Sequence, residues 1–239
     1  MTFLGNLQGP FLYFALTHPV HTLPAETKAL VMTFCDLSDL IGLSYDSHWA
    51  QLAAREIRAS FLYTLAKFSP DAFAFREMMR VTNTIITGAT ALHYLLRQPY
   101  NWESCEIDLI VCPAYIVDVT RFIMAFPGAT RTSEFGLDGV DDYIQNDFGI
   151  GSTTTITTTM ASFKLVLSSE MSPFHLLAHY WSTHVMNALT ADSLVCAYPT
   201  LTLQRKGIIS YIPMLSEGDD IIDMWKGRGL ALCRSRQQL

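Results

Sequence analysis

The chain has 239 residues, of which half are hydrophobic and 16% are charged; this composition supports a buried core and excludes disorder by composition alone. Its 16 basic and 22 acidic side chains give a formal net charge of −6, which argues against a protein whose main task is to coat nucleic acid. A small nucleotide held through a metal ion remains compatible with this charge.

The first third of the chain is predicted to be mainly helical. Residues 1–22 contain two glycines and two prolines without a clear hydrophobic period, and we interpret them as a lead-in segment. From Leu23 to about residue 80, apolar residues recur at three- and four-residue steps, which predicts several short helices. Gly42 and the Ser69–Pro70 step are the expected breaks. Residues 23–80 are therefore predicted to form a helical module.

After residue 81 the pattern changes to short strands and helices. The order predicts an α+β or α/β module over residues 81–239, without a linker that would separate further domains. The predicted strands are 84–87, 106–111, 152–160 and 163–167, and the predicted helices are 89–97, 115–126 and 173–186. Gly218-Asp219-Asp220 is interpreted as an acidic start of another helix.

Cysteine usage and hydropathy bear on the compartment. The five cysteines are odd in number and form no CxxC pair, so we expect neither a disulfide framework nor a structural zinc site. No run approaches the roughly 18 apolar residues of a membrane helix, and the apolar run at 11–16 makes a poor signal peptide. We expect an intracellular protein, cytoplasmic or nuclear, with no membrane partner. The sequence carries no strong signal for nucleic-acid binding.

Two acids on one predicted strand are the most informative feature. Because side chains alternate along a strand, Glu106 and Asp108 should share a face, with Cα atoms roughly 6.5 Å apart. Like charges this close favour a cation between them, and Mg²⁺ accepts carboxylate, phosphate and water oxygens. The helix start at Gly88, Ala89 and Thr90 offers N–H groups to an anion. Alternatively, the two acids solvate one face of an edge strand.

This constellation resembles the nucleotidyltransferase superfamily, in which a Gly-Ser or Gly-Gly turn opens a helix and the next strand carries an acid–apolar–acid triplet. Residues 81–210 resemble a family of uncharacterised fungal nucleotidyltransferase-like proteins. The resemblance implies a mixed sheet flanked by helices, catalytic and Mg²⁺-binding roles for Glu106 and Asp108, and a nucleoside triphosphate on Gly88, Ala89 and Thr90. The segments that carry it are 83–111, 163–167, 181–187 and 198–202.

The sequence departs from the family pattern at two points. Ala89 stands where a serine is expected, so a phosphate-binding hydroxyl would have to come from Thr87 or Thr90. Active members carry a third acid on a later strand, and residues 163–167 contain none; Glu170 follows that strand and Asp147 precedes it. Two acids suit one metal ion better than a pair. We therefore expect nucleotide and divalent-metal binding, with transfer activity left open.

The helical module resembles an F-box. The carrying residues are Leu23-Pro24-Ala25-Glu26, an apolar helix, an Asp39-Leu40 step and Trp49. The resemblance implies a non-catalytic adaptor that presents a substrate to a ubiquitin ligase by binding a Skp-type adaptor protein. The implied contact residues are Leu23, Pro24, Leu30 and Leu40. The alternative is that these residues pack as ordinary core.

His175 and His179 have the i, i+4 spacing of a zinc-binding helix, but the glutamate of an HExxH motif is absent. We interpret this pair as part of helix packing.

Overall fold

The structure, a computed structural model, describes residues 23–97, 105–132, 150–209 and 218–233. The lead-in segment 1–22 and Asp147 lie outside these residues. The chain divides into two compact units, residues 1–61 and residues 62–239.

The first unit is helical, as predicted. Its helices are α1 (Ala25–Phe34), α2 (Leu37–Ser44) and the first part of α3 (Ala50–Ala66). A capping box starts α2: Asp36 Oδ1 accepts a 2.8 Å hydrogen bond from the Asp39 N–H, and Asp39 Oδ2 accepts one from the Asp36 N–H. The break predicted at Gly42 is wrong, because α2 continues through this residue to Ser44.

The helical unit has a small hydrophobic core. Partly buried side chains such as Leu23 and Val31 pack against it. Its buried members are Met32, Cys35, Leu40, Trp49 and Ala53.

The second unit begins within α3 and contains α4 (Ala72–Thr82). Asp71 caps α4 by accepting hydrogen bonds from the N–H groups of Phe73 and Ala74, so the predicted break at Ser69–Pro70 is confirmed. The fully buried Phe75 places its ring 6.0 Å from Phe122 and 6.1 Å from Phe163. Helix α4 therefore packs with the sheet, and the two units divide at residue 61 rather than at the predicted residue 80.

Among the described residues, the second unit is built on a seven-stranded mixed sheet with the order β3-β4-β5-β2-β1-β6-β7. Strands β2 and β5 are parallel, and every other neighbouring pair is antiparallel. The α+β fold, with a mixed sheet flanked by helices and a helical N-terminal region, is thereby confirmed. The strands are β1 (Ile85–Thr87), β2 (Glu106–Val111), β3 (Thr130–Thr132), β4 (Ile150–Thr157), β5 (Ser162–Ser168), β6 (Asn187–Leu189) and β7 (Leu194–Cys196).

Helices and a small second sheet complete this unit. The short parallel pair of β8 (Lys206–Ile208) and β9 (Ala231–Cys233) forms the second sheet. The predicted acidic helix start at Gly218 is confirmed. The helices are α5 (Gly88–Leu96), α6 (Ile116–Met124), α7 (Pro199–Leu203) and α8 (Gly218–Gly227).

The helix predicted over 173–186 is wrong. Two 3₁₀ segments, Pro173–His179 and Thr183–Val185, are separated by extended backbone at Tyr180 and Ser182. Ser182 forms an antiparallel bridge with Ile209, and its hydroxyl donates to the Ile208 carbonyl. This tertiary pairing outweighs the helical period of the apolar residues.

The large sheet has one apolar face and one face that changes from apolar to polar. Ile107 and Leu109 point into the apolar face, where Phe163 meets the rings of Phe75 and Phe126. On the other face, Ile85 and Ile110 are covered by Leu176 and Leu177. The rows of side chains nearer the start of β2 are polar, and this is where the two acids lie.

In the part of the chain that the structure describes, no helix combines the length and apolar character needed to cross a bilayer. All five cysteines are free thiols.

Candidate functional site

The carboxylate of Asp108 lies directly over Gly88. Antiparallel pairing of β1 with β2 sets Thr87 opposite Asp108, and Gly88 then opens α5 with a φ of 65°. A Cβ atom at residue 88 would overlap Asp108 Oδ2. The site therefore requires glycine at residue 88 for two reasons: the left-handed backbone and the close approach of the carboxylate.

Glu106 lies on the same face of β2, two residues earlier, and its side chain is exposed, whereas Asp108 is only partly exposed. Helix α5 is fixed to this strand by Thr90, whose hydroxyl donates a 3.2 Å hydrogen bond to the Glu106 carbonyl. The spacing predicted from the sequence thus brings Glu106, Asp108 and the α5 start together.

Ala89 is explained by packing. It is partly buried against an apolar cluster that includes Leu92, Val185 and Trp225. A methyl group suits this position, and the hydroxyl expected from the family pattern would enter apolar surroundings. Any contact of Ala89 with phosphate would come from its backbone N–H.

The two threonines that might replace the missing serine are both engaged elsewhere. Thr87 Oγ1 lies 2.7 Å from the Tyr180 hydroxyl, and Thr90 Oγ1 is bonded to the Glu106 carbonyl. Thr87, the N-cap residue of α5, makes no side-chain capping bond to the helix start. The backbone N–H groups of its first turn are therefore the donors that this end of the helix can offer to an anion.

Lys164 is the residue that sequence reasoning missed. Strand β5 pairs in parallel with β2, so that Lys164 is level with Asp108 and points to the same face. Its side chain is exposed. The family pattern predicts an acid within residues 163–167, and nothing local in the sequence indicates that this lysine neighbours Asp108.

Among the described residues, Glu170 does not join the site. Asp108 is level with a residue near the start of β5, whereas Glu170 follows the opposite end of that strand. Asp147 lies outside the described residues.

Hydroxyl side chains extend the polar face. Thr155 of β4 is level with Lys164, and Thr132 of β3 is level with Thr155. In the neighbouring row of the same face, Glu106 is the register partner of Ser162, and Ser162 is the register partner of Thr157. The face thus offers many hydrogen-bonding groups beside two acids and one base.

Burial dominates the electrostatics of Asp108. It raises the pKa of this carboxyl because the charged form loses hydration, and the neighbouring Glu106 also raises it, while the positive charge of Lys164 lowers it. Burial likewise raises the pKa of Tyr180, and the nearby Asp108 adds to that effect. Burial thus leaves an ionised Asp108 costly even beside Lys164, and a further cation would stabilise the charged form.

The donor set fits one divalent ion. Mg²⁺ is commonly held by one or two carboxylates with phosphate and water oxygens, which Asp108 and Glu106 could satisfy. No group of three or more His, Cys, Asp or Glu side chains able to hold a metal is found among the described residues. Because Lys164 takes the place beside Asp108 on β5, this arrangement does not fit a pair of ions.

The alternative of an edge strand is wrong. Strand β2 has β1 on one side and β5 on the other, so it lies inside the sheet. Asp108 is accordingly held between neighbours rather than solvated at a margin.

His175 and His179 lie in the first 3₁₀ segment, with ring centroids 4.9 Å apart. Their packing therefore occurs in a 3₁₀ segment rather than in the predicted helix.

The four contact residues implied by the F-box resemblance differ in their exposure in the helical unit. Leu40 is 0% exposed inside the unit's core, and Leu23 packs against that core. Pro24 is exposed, and Leu30 is 60% exposed. We call the large exposed apolar residues of α1 and α2, together with the residue after α2, the N-terminal apolar surface; it consists of Leu30, Phe34, Ile41 and Tyr45.

Comparison with known proteins gives little further information. No family model and no curated protein matches the sequence. One similar solved structure is described as a tRNA-processing enzyme in its apo form I, with 14% sequence identity and a TM-score of 0.44. The match covers 68% of this chain and 44% of that one, so the chain spans less than half of the other structure.

Proposed function

We propose that the unit of residues 62–239 binds a nucleoside triphosphate together with one Mg²⁺ ion. The observation that supports this proposal is the Asp108 carboxylate held over Gly88 at the start of α5, where the N-cap residue Thr87 makes no side-chain capping bond. A carboxylate and a phosphate at the same helix start repel each other, so their joint presence calls for a cation.

The residues have distinct roles in this proposal. Asp108 and Glu106 hold the ion, and the N–H groups of Gly88, Ala89 and Thr90 bind phosphate oxygens. When bound, the ion supplies positive charge that neutralises both the carboxylates and the phosphate. Thr90 positions the turn through its bond to the Glu106 carbonyl.

The proposal is for binding rather than transfer. An in-line phosphoryl displacement assisted by two ions needs ligands for both, and no group of three or more candidate metal ligands is found among the described residues. The protein is thus proposed to be a degenerate relative of the nucleotidyltransferases, with nucleotide binding retained.

Calorimetric titration of the full chain with ATP, GTP, CTP and UTP, with and without Mg²⁺, tests this function. Asp108→Asn should weaken binding by about tenfold or more, because a charge-assisted contact is lost. Asp223→Asn is the matched control, since Asp223 is an exposed acid on α8. Absence of Mg²⁺-dependent binding of all four nucleotides to the unaltered chain would contradict the proposal.

A second candidate function has support in the helical unit. We propose that the N-terminal apolar surface binds a Skp-type adaptor of a ubiquitin ligase, with Leu30 and Phe34 as one i, i+4 pair on α1. Phe34 is 72% exposed, which is unusual for so large an apolar side chain. Leu40 is excluded as a contact because it belongs to the core.

Co-expression of the full chain with the adaptor, followed by affinity purification, tests this second function. Phe34→Asp should remove the adaptor from the purified complex. Phe73→Asp, at an exposed phenylalanine of α4, should leave it bound. Equal recovery of the adaptor with both variants would exclude a role for this surface.

A further inference from the structure

A single row across the large sheet carries one acid and one base side by side. Asp108 on β2 and Lys164 on β5 are register partners, so their Cα atoms lie about 5 Å apart and their side chains leave the same face. Thr155 continues the row on β4. The lysine stem is long enough for its ammonium group to reach past Asp108 toward whatever occupies the polar face.

The charges of this face change sign when one divalent ion is added. Glu106, Asp108 and Lys164 together carry −1, which repels phosphate, and one Mg²⁺ would bring the total to +1. A second divalent ion would have to approach beside an ammonium group of the same sign. The face is therefore suited to one metal ion plus one fixed cation.

We infer that Lys164 is a phosphate-binding residue of this site, one that supplies the second positive charge for a nucleoside di- or triphosphate. This inference rests on the function proposed above. The ligand class follows from the charge: a monophosphate is satisfied by the ion and the α5 start, whereas a longer phosphate chain has further oxygens for Lys164 to bind.

A purely structural role for Lys164 predicts a different result. If this lysine only neutralised Asp108, its removal would leave both the ion's ligands and the phosphate's ligands in place. Removal of Lys164 would then change the affinity for a di- or triphosphate no more than the affinity for a monophosphate. Removal of a phosphate ligand, by contrast, weakens binding of the longer phosphates alone.

The experiment compares the full chain with Lys164→Met, Lys164→Arg and the control Lys226→Met, an exposed lysine of α8. Binding of Mg²⁺ complexes of AMP, ADP and ATP is measured by calorimetry, and binding of Mn²⁺ alone by electron paramagnetic resonance. Melting temperatures establish that each variant is folded.

We expect Lys164→Met to weaken ADP and ATP binding by about tenfold or more while AMP changes less than about threefold. Mn²⁺ alone should bind Lys164→Met at least as tightly as the unaltered chain, since a repelling charge is gone. Lys164→Arg should restore most of the ATP affinity because the charge is kept.

A further variant, Lys164→Asp, adds a third acid. We expect the number of bound Mn²⁺ ions to rise from one to two per chain, because the added carboxylate replaces the repelling ammonium.

The outcomes separate this inference from the function on which it rests. If the unaltered chain binds neither Mn²⁺ nor any of the nucleotides, the proposed function is wrong and the inference falls with it. If the unaltered chain binds MgATP and Lys164→Met binds it equally well, only the role of Lys164 is overturned.

Discussion

The hydroxyl of Tyr180 lies 2.7 Å from the hydroxyl of Thr87, which directly precedes Gly88. The two residues are 93 positions apart in the sequence. This bond ties the segment after the first 3₁₀ turn to the end of β1, and it holds the backbone from which the Gly88 turn begins.

Tyr180→Phe tests this bond. Thr87 is fully buried, so loss of the phenol would leave a buried hydroxyl without this partner, and we expect the free energy of unfolding to fall by about 1–3 kcal/mol. Urea denaturation measures the change. Tyr198→Phe, at an exposed tyrosine, should shift the same quantity by no more than about 0.5 kcal/mol. Equal effects of the two substitutions would mean that the Thr87 contact adds no stability.

Gly88→Ala should destabilise the second unit. The residue would have to adopt a left-handed φ, at a cost of order 1–3 kcal/mol, and its Cβ would displace the Asp108 carboxylate. Thermal denaturation provides the measurement. Gly227→Ala is the control, because nothing lies within 4 Å of a Cβ placed there. A Gly88→Ala protein as stable as the control would show that the carboxylate does not lie over this turn.

Asp108→Asn should increase stability at neutral pH. Burial raises the pKa of this carboxyl, so the folded protein holds the proton more firmly than the unfolded chain does. The free energy of unfolding therefore falls as the pH rises from about 4 through the raised folded-state pKa. The amide avoids this loss, and we expect a gain of order 1 kcal/mol at pH 7.

The pH dependence provides the check on Asp108→Asn. Urea denaturation at pH 7 and at pH 4 should give a smaller difference between variant and unaltered chain at the lower pH, because protonation of the folded-state carboxyl removes part of the cost of the buried charge. Asp223→Asn, on the exposed side of α8, should show no comparable gain. A loss of stability at pH 7 would mean that the ionised carboxylate is well satisfied.

His184 should make the fold sensitive to acid. Its fully buried ring lies between Trp181 and Trp225, at centroid distances of 5.1 and 4.8 Å, with Nδ1 2.7 Å from Ser182 Oγ. Nε2 has no hydrogen-bond partner among the described residues. Burial lowers the pKa of His184 to about 4.

The unfolded chain therefore binds a proton at His184 before the folded protein does. As the pH falls from 6.5 to 4, we expect the free energy of unfolding to decrease by on the order of 3 kcal/mol because of this residue. His184→Asn should flatten the slope measured by urea denaturation across this range. His175→Asn, at an exposed histidine, should leave it unchanged. A slope that persists in His184→Asn would assign the effect to other groups.

Phe75→Ala should be strongly destabilising, by about 3–5 kcal/mol, because it empties the space between α4, α6 and the sheet. Phe73→Ala, two residues earlier on α4, removes an exposed ring and should cost far less. Denaturant unfolding compares the two. Similar costs would contradict the packing of α4 on the sheet.

The sequence was most informative where structure depends on neighbours along the chain. Alternation along 106–111 was enough to place Glu106 and Asp108 on one face, and the glycine at 88 indicated the start of α5. Both predictions use contacts or periods of a few residues.

The features that the sequence did not predict depend on contacts between residues far apart in the chain. Lys164 faces Asp108 only because β2 and β5 pair in parallel, which no local pattern indicates. The apolar period of 173–186 was typical of a helix, but Ser182 pairs with Ile209 and keeps that segment extended. A phosphate-binding hydroxyl was predicted to come from Thr87 or Thr90, yet each hydroxyl makes a hydrogen bond within the fold.

The parallel pairing of β2 with β5 sets the order in which the polar row can form. Parallel neighbours require a crossover, and here the chain between β2 and β5 includes α6, β3 and β4. During synthesis, Asp108 thus leaves the ribosome well before the lysine that will neutralise it. A chain released before β5 would contain Gly88 and both acids but lack their basic neighbour, so the polar row can be complete only after β5 has been synthesised.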